Sequence, residues 1–512
     1  KTGLEASSIG ANSIDGSNAF NFSAGPSGSG EVVYRQSGSV LRSGGDDREG
    51  FAVDLSSRAG DWQGYREQDQ ESRPWREFRG AESGSVEGSL VDGASIKSDS
   101  GGIRVASYGG SIAPVWQVRR ETFNELSEIL RDKDLIDKDT LLRFEGENRV
   151  QNAGDVRVSI TGATIETAGV AVSALSEGGG MGDYTGSDQN RPGGNAGAAV
   201  IRLERSSNVQ TSGRSAHGLV AQSLGGSVSK GKAGSLILLG KDGAPGGSGG
   251  NAAASVSKDS TVVTSGDLAF GLFLQSSGAG GGKGGYGFVA GGDGGAAGSG
   301  GRADALLMGQ LTTSGDGAYG VYAGGLGGGR IEVSSDEKQG VGTVDDGGGD
   351  GGKSINIFPF VSVALGGAGG VGGSGPTVDI KQFGVVETRG DYATGVFGNS
   401  IGGNGGAGGL ATSVAIGIPI PISDVPGPDG KPITISPSVS LAVGGRGGSG
   451  GSGGDIVFSS DFSNSLPARG MDLSPRVSTF GMSSPAVRLI STGGGGGSGG
   501  NAFSLAGSIP SD

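Results

Sequence analysis

The chain has 512 residues, 114 of them Gly, with no Cys, one His and a formal net charge of −13. Its acids are spread along the chain, so it lacks the basic footprint that nucleic acid demands. No run of 18 apolar residues is present to cross a membrane as a helix, and one His without Cys leaves almost no material for a Cys/His nucleophile, a Ser-His-Asp site or a zinc centre.

From the N-terminus, KTGLEASSIGANS lacks the apolar region of a signal peptide. ASSIG (6–10) matches the tail of a repeat core met again below, so the sequence is expected to begin inside a unit. DWQGYREQDQESRPWREFRG (61–80) interleaves aromatics with Arg, the residue types that binding hot spots favour. Trp62, Tyr65, Arg66, Arg73, Trp75, Arg76, Phe78 and Arg79, with Trp116 farther on, are therefore candidate binding residues. The plainer reading is that this stretch covers one flank. RRETFNELSEILRDKDLI (119–136) predicts an amphipathic helix with Phe123, Leu126 and Leu130 on one face. Residues 1–157 form the N-terminal units with these insertions, and 158–512 one continuous Gly-rich repeat domain.

The repeat is the strongest signal. GIRVASYGG (102–110), GLVAQSLGG (218–226), GLFLQSSGA (271–279), GVYAGGLGG (320–328), GVFGNSIGG (395–403) and AVRLISTGG (486–494) are copies, with GFAVDLSSR (50–58) and GVAVSALSE (169–177) weaker relatives. TSGRSAH (211–217), TSGDLAF (264–270), TSGDGAY (313–319) and TRGDYAT (388–394) precede four of them. These read as tight turns with Gly at positive φ and Asp bonding nearby backbone. Before each turn runs a period-two strand such as AAVIRLERSSNVQ (198–210). Units of this kind bury a face only by stacking, so the expected fold is all-β: an elongated parallel β-helix or solenoid with a small helical insertion. Ser107, Ser223, Ser276, Ser400 and Ser491 are expected in one structural ladder, with Gln222, Gln275 and Asn399 in the next.

The tracts between strands, such as GGAGGVGGSGP (366–376), GGNGGAGGL (402–410) and GGRGGSGGSGGD (444–455), place Gly at about two of every three positions. That matches a polyproline-II-type helix with three residues per turn. Equivalent placement in successive units predicts that the tracts stack, which only Gly tolerates at strand spacing; floppy surface loops are the alternative.

The combination T-x-G-D-x-A-x-G-h-x-x-x-S-h-G-G followed by Gly runs, closest at TRGDYATGVFGNSIGGNGGAGG (388–409), resembles the Gly-rich repeats of bacterial autotransporter (type V secreted) passengers. The resemblance covers about 160–500, and 40–110 loosely. It implies an exported passenger on or released from a Gram-negative surface. The implied membrane anchor is a C-terminal β-barrel, and no such pattern occurs in this sequence.

Chemistry-bearing residues are few. His217 could act as base or ligand, but its slot elsewhere holds Phe270, Tyr319, Thr394 and Pro485, which favours a variable turn position. GGSGGDIVF (450–458) fits a calcium nonapeptide once, where such sites need tandem copies. Asp455, with Asp345, Asp346 and Asp350 of DDGGGDGG (345–352), are the weak metal candidates, and no metal or cofactor is expected. Arg389-Gly390-Asp391 spells an integrin-type tripeptide, although Gly and Asp recur in the neighbouring turns. No catalytic residue is assigned.

The expected function is a non-catalytic surface or secreted stalk or adhesin acting by repetitive contacts. Its expected partners are a surface glycan, a protein receptor or other copies of itself, with no nucleic acid. The alternatives are a self-assembling extracellular filament or matrix protein, and a carbohydrate-active β-helix enzyme using clustered carboxylates.

Overall fold

The computed structural model describes residues 4–9, 13–14, 32–37, 40–43, 51–58, 62–63, 83–110, 152–180, 192–228, 239–334, 336, 340–426, 432–460 and 475–508. Among these there are strands and no helix; the expected helix at 119–136 lies outside them.

Period-two alternation makes the strands. In Ala199–Glu204 the side chains of Ala199, Ile201 and Leu203 are buried, whereas Arg202 is exposed. Asn208–Thr211 and Leu219–Leu224 follow after short connections. These three strands each join a different parallel sheet. The next pass, Asn251–Val256, Thr261–Thr264 and Leu272–Ser277, pairs with them strand for strand. Repeated along the chain, this gives parallel sheets of nine, eight and eight strands. The first runs from Leu4–Ile9 to Val487–Thr492, the second from Val32–Ser37 to Ile456–Ser459, and the third from Val40–Ser43 to Arg476–Thr479. One continuous apolar core draws on all three, with Leu219, Ile201 and Val209 from a single pass.

Two repeat copies sit in a different frame from the one their sequences suggest. Val172 pairs with Leu219, and Val53 with Ile103. The matching stretches are therefore AVSALSEGG (171–179) and AVDLSSRAG (52–60). A two-residue slip leaves the same side chains facing inward, so the hydrophobic pattern does not distinguish the two frames.

The turns also differ from expectation. Positive φ falls at Ser215, Leu268, Gly317, Tyr392 and Ser483, two residues past the conserved-looking Gly. That Gly serves close approach instead: a Cβ on Gly266 or Gly390 would collide with the carbonyl of Gly213 or Gly315 in the preceding turn.

Smaller sheets branch off. Gly329–Val333 and Val341–Asp345 form an antiparallel hairpin, as do Ile420–Pro426 and Pro432–Ile435. Beyond the Gly tracts, Ser354–Pro359, Ala411–Gly417 and Ala502–Ser508 form a parallel sheet, and Val361–Leu365 pairs with Val439–Val443.

Candidate functional site

The glycine flank is bonded on several sides. Within 366–376, Gly367 and Gly370 donate their N–H groups to the carbonyls of Gly352 and Gly349 in the outgoing tract. Gly366, Gly369, Gly372 and Gly375 donate to Val443, Arg446, Ser449 and Ser452 of the next returning tract. The third position of the triplet is served by side chains: Ala368 N–H reaches Asp293 Oδ1 at 2.7 Å and Ser374 N–H reaches Ser299 Oγ at 3.1 Å. Asp293 N–H in turn reaches Asp242 Oδ1, and Ser299 N–H reaches Ser248 Oγ. The bonding thus repeats every three residues. Where the non-Gly position carries Asp, Asn or Ser, as at Asp293, Asn195 and Ser299, the side chain accepts from the next tract, whereas Ala368, Val371 and Arg446 hold the same position without that role. A Cβ on Gly370 would meet the carbonyl of Gly295, and one on Gly406 that of Gly349. This contact explains why side chains are absent.

Serine joins this flank to the first sheet. Ser276 Oγ donates to the Gly250 carbonyl at 2.6 Å and accepts from Gly301 N at 2.7 Å. Ser107, Ser223 and Ser400 make the same pair of bonds to Gly84 and Gly154, Gly197 and Gly250, and Pro376 and Gly454. Ser176, which the sequence frame missed, does so with Gly154 and Gly197. Register places Ser223 beside Ser276 and Ser400 beside Ser491, with Gly325 interrupting between Ser276 and Ser400. In the neighbouring column Gln222 Nε2 donates to Gln275 Oε1 at 2.9 Å.

The turn column works the same way. Asp267 Oδ1 accepts from Asp316 N, Asp316 Oδ1 from Asp391 N, and Asp391 Oδ1 from Met482 N. The Asp of T-x-G-D therefore binds the next pass rather than its own turn. The Thr closes the turn, as Thr264 Oγ1 donates to the Ala269 carbonyl at 2.7 Å. Both charged ends of Arg389-Gly390-Asp391 are engaged: Arg389 pairs with Glu387 and lies 5.9 Å from the Phe480 ring centroid.

On the outer side of the first sheet lies an aromatic patch absent from the sequence expectations. Phe270 and Tyr319 stack at 4.8 Å, Phe273 and Tyr322 at 5.1 Å, and Phe397 meets both tyrosines edge-on. Ile331, from the 329–345 hairpin, is buried against this cluster. The available signal was the third residue of four of the six copies (Val220, Phe273, Tyr322, Phe397), apolar where an outward position should be polar, as Arg104 and Arg488 are in the other two. His217 belongs to this patch. Its Nδ1 accepts from Phe270 N at 3.0 Å, its ring stacks 5.7 Å from Phe273, and burial pulls its pKa down to about 4. Burial pushes the Tyr322 phenol far above its usual range. Tyr322 Oη and Asn399 Oδ1 make no hydrogen bond of good geometry.

Of the binding candidates, Trp62 lies in a two-residue strand paired with Ser13, with its side chain outside the described structure. Tyr65, Arg66, Arg73, Trp75, Arg76, Phe78, Arg79 and Trp116 lie outside the described residues altogether. Asp345 ends the 341–345 strand. Asp346 and Asp455 are exposed. Asp350 accepts from Lys283 Nζ and Ala407 N; its burial raises the carboxyl pKa, but these two donors outweigh that and lower it. Among the described residues no three His, Cys, Asp or Glu side chains gather to hold a metal. Asp304 and Asp379, side by side in the second sheet, are paired with Arg302 and Lys381.

Comparison with protein-family models, curated proteins and solved structures finds no match.

Proposed function

We propose that the chain is a length of parallel β-solenoid whose glycine tracts stack as polyproline-II-type helices along one flank. On this reading it is a bacterial surface-displayed or secreted passenger, a non-catalytic structural stalk or adhesin acting through repeated, equivalent contacts. The observation that carries the reading is the direction of the polar bonds. The Ser column, the Asp turn column, the tract side chains and His217 all join one pass to the next, and none of these is poised as nucleophile and base toward a cleft.

Two further features support the export half of the reading. The 388–409 stretch resembles autotransporter repeats, and a chain without Cys forms no disulfide during passage through an oxidising envelope. Equivalent sites along one rigid body would convert weak single contacts into strong attachment.

Antibodies raised against the purified chain test this on intact cells of its source, permeabilised cells and culture medium. Labelling of intact cells, or recovery from the medium, is expected. Signal that requires permeabilisation rejects the export reading.

A further inference from the structure

The two sheets beyond the glycine tracts differ in composition from the rest of the chain. Segments 354–365, 410–423, 432–443 and 502–508 contain no Asp, Glu, Lys or Arg, in a chain that is 18% charged. Their usual inside and outside are reversed. Between the sheets lie small polar side chains. Asn356 Nδ2 donates to the Val363 carbonyl at 2.6 Å, Ser362 Oγ to the Asn356 carbonyl at 3.0 Å, and Ser413 Oγ to Ser362 Oγ at 2.9 Å. Ala364, Ala411 and Ala415 are buried beside them, as is Ser354. The outward positions are apolar: Val361 is 59% exposed, Val439 61% and Leu441 51%. A sheet with one face in water should carry polar residues there.

We propose that this wing packs face to face against the same wing of a second copy, through the Val361–Leu365 and Val439–Val443 strands. Register sets Val361 beside Val439, Val363 beside Leu441 and Leu365 beside Val443, giving rows that run along the stack. Adjacent strands repeat at ~4.8 Å, and stacked sheets interdigitate at ~10 Å. A second copy presents ridges at that same pitch, which an irregular protein surface does not.

Charge favours the same occupant. Two chains of −13 repel through most of their surfaces, but not through an uncharged wing. The segments hold no Lys or Arg to attract anionic headgroups and no Trp or Tyr to anchor at a bilayer interface. The six outward side chains of these two strands are all aliphatic, with Val361, Val439 and Leu441 more than half exposed, and so continuous an apolar face marks a contact surface. The pairing is lateral and stands apart from the export reading; either can fail without the other.

Sedimentation equilibrium from sub-micromolar to tens of micromolar protein tests it. A monomer–dimer equilibrium is expected for the wild type. The Val439→Lys/Leu441→Lys double variant should dimerise at least about 100-fold more weakly, since each charge would be buried unpaired, with unchanged circular dichroism. Gln310→Lys, on an exposed position of the third sheet, should leave dimerisation unchanged. A wild type monomeric throughout, a dimer insensitive to the double variant, or a monomer that floats with neutral or anionic phosphatidylcholine–phosphatidylserine vesicles would each overturn the proposal. Should the double variant fail to fold, Val439→Cys in this cysteine-free chain carries a spin label. One short inter-copy distance supports the pairing, and no measurable coupling between copies overturns it.

Discussion

The Nδ1 atom of His217 can accept the Phe270 N–H only while the imidazole is neutral. In the folded chain its pKa lies at about 4, against 6.5 for an exposed ring, so on acidification the unfolded chain takes up the proton first. The stability it contributes is complete above pH 6.5 and lost as pH falls toward 4, a change of about 3 kcal/mol. His217→Phe installs the residue that the next pass uses at this slot. Urea unfolding at about pH 7 and about pH 4.5 should show the wild type losing more stability than this variant; equal losses would reject the assignment. Ser276 offers a second test. Its buried hydroxyl serves a half-buried carbonyl and a half-buried N–H together, so Ser276→Ala should cost about 1–3 kcal/mol by stranding both. Ser491 makes one of these bonds at an exposed position, and its replacement by Ala should cost under about 1 kcal/mol. Thermal unfolding of the two variants side by side reads the difference.

At the scale of a single tract, glycine matters by position rather than by number. Gly370 faces the Gly295 carbonyl, whereas a Cβ on Gly496 would find its nearest atom, the Gly448 carbonyl oxygen, at 3.6 Å. Gly370→Ala should cost about 1–3 kcal/mol through forced separation of two tracts; Gly496→Ala should be nearly neutral, and equal midpoints for the two would contradict the packing. Such elements differ in how openly the sequence announces them. The strands were legible because alternation has a period of two, and the tracts because missing side chains recur at equivalent places. The frames at 52–60 and 171–179 were not, since a two-residue slip preserves the inward face. Nor was the role of Asp267, whose carboxylate serves a backbone N–H 49 residues away, a relation visible only once the passes are stacked. The wing escaped for another reason. SINIFP and VSVAL alternate plainly, but alternation does not say which face is buried, and here it is the Ser and Asn face.

On the proposed solenoid reading, each inner pass bonds to its two neighbours through recurring columns, so stability across the whole molecule should be close to a sum of pass and junction contributions. Nine strands at ~4.8 Å rise only about 40 Å, because a pass such as 218–270 gives only Leu219–Leu224, Asn251–Val256 and Thr261–Thr264 to the long sheets. It follows that one pass should be removable without disturbing the wing. Residues 218–270 are the cleanest choice: His217 and Phe270 occupy equivalent slots 53 residues apart, and the excised strands are Leu219–Leu224, Asn251–Val256 and Thr261–Thr264, one from each long sheet. Rejoining His217 to Gly271 would set Ser176 beside Ser276, Ala199 beside Ala303 and Thr211 beside Thr313, since each pair shares a register partner in the lost pass. His217 would inherit the slot from which Phe270 stacks on Tyr319. The shortened chain should fold with the same β-signature per residue and a somewhat lower denaturant midpoint. Removing half as many residues from the same place would throw inward side chains out of column and should yield insoluble or unfolded protein. If both deletions fold equally well, or both fail, the passes are not interchangeable units.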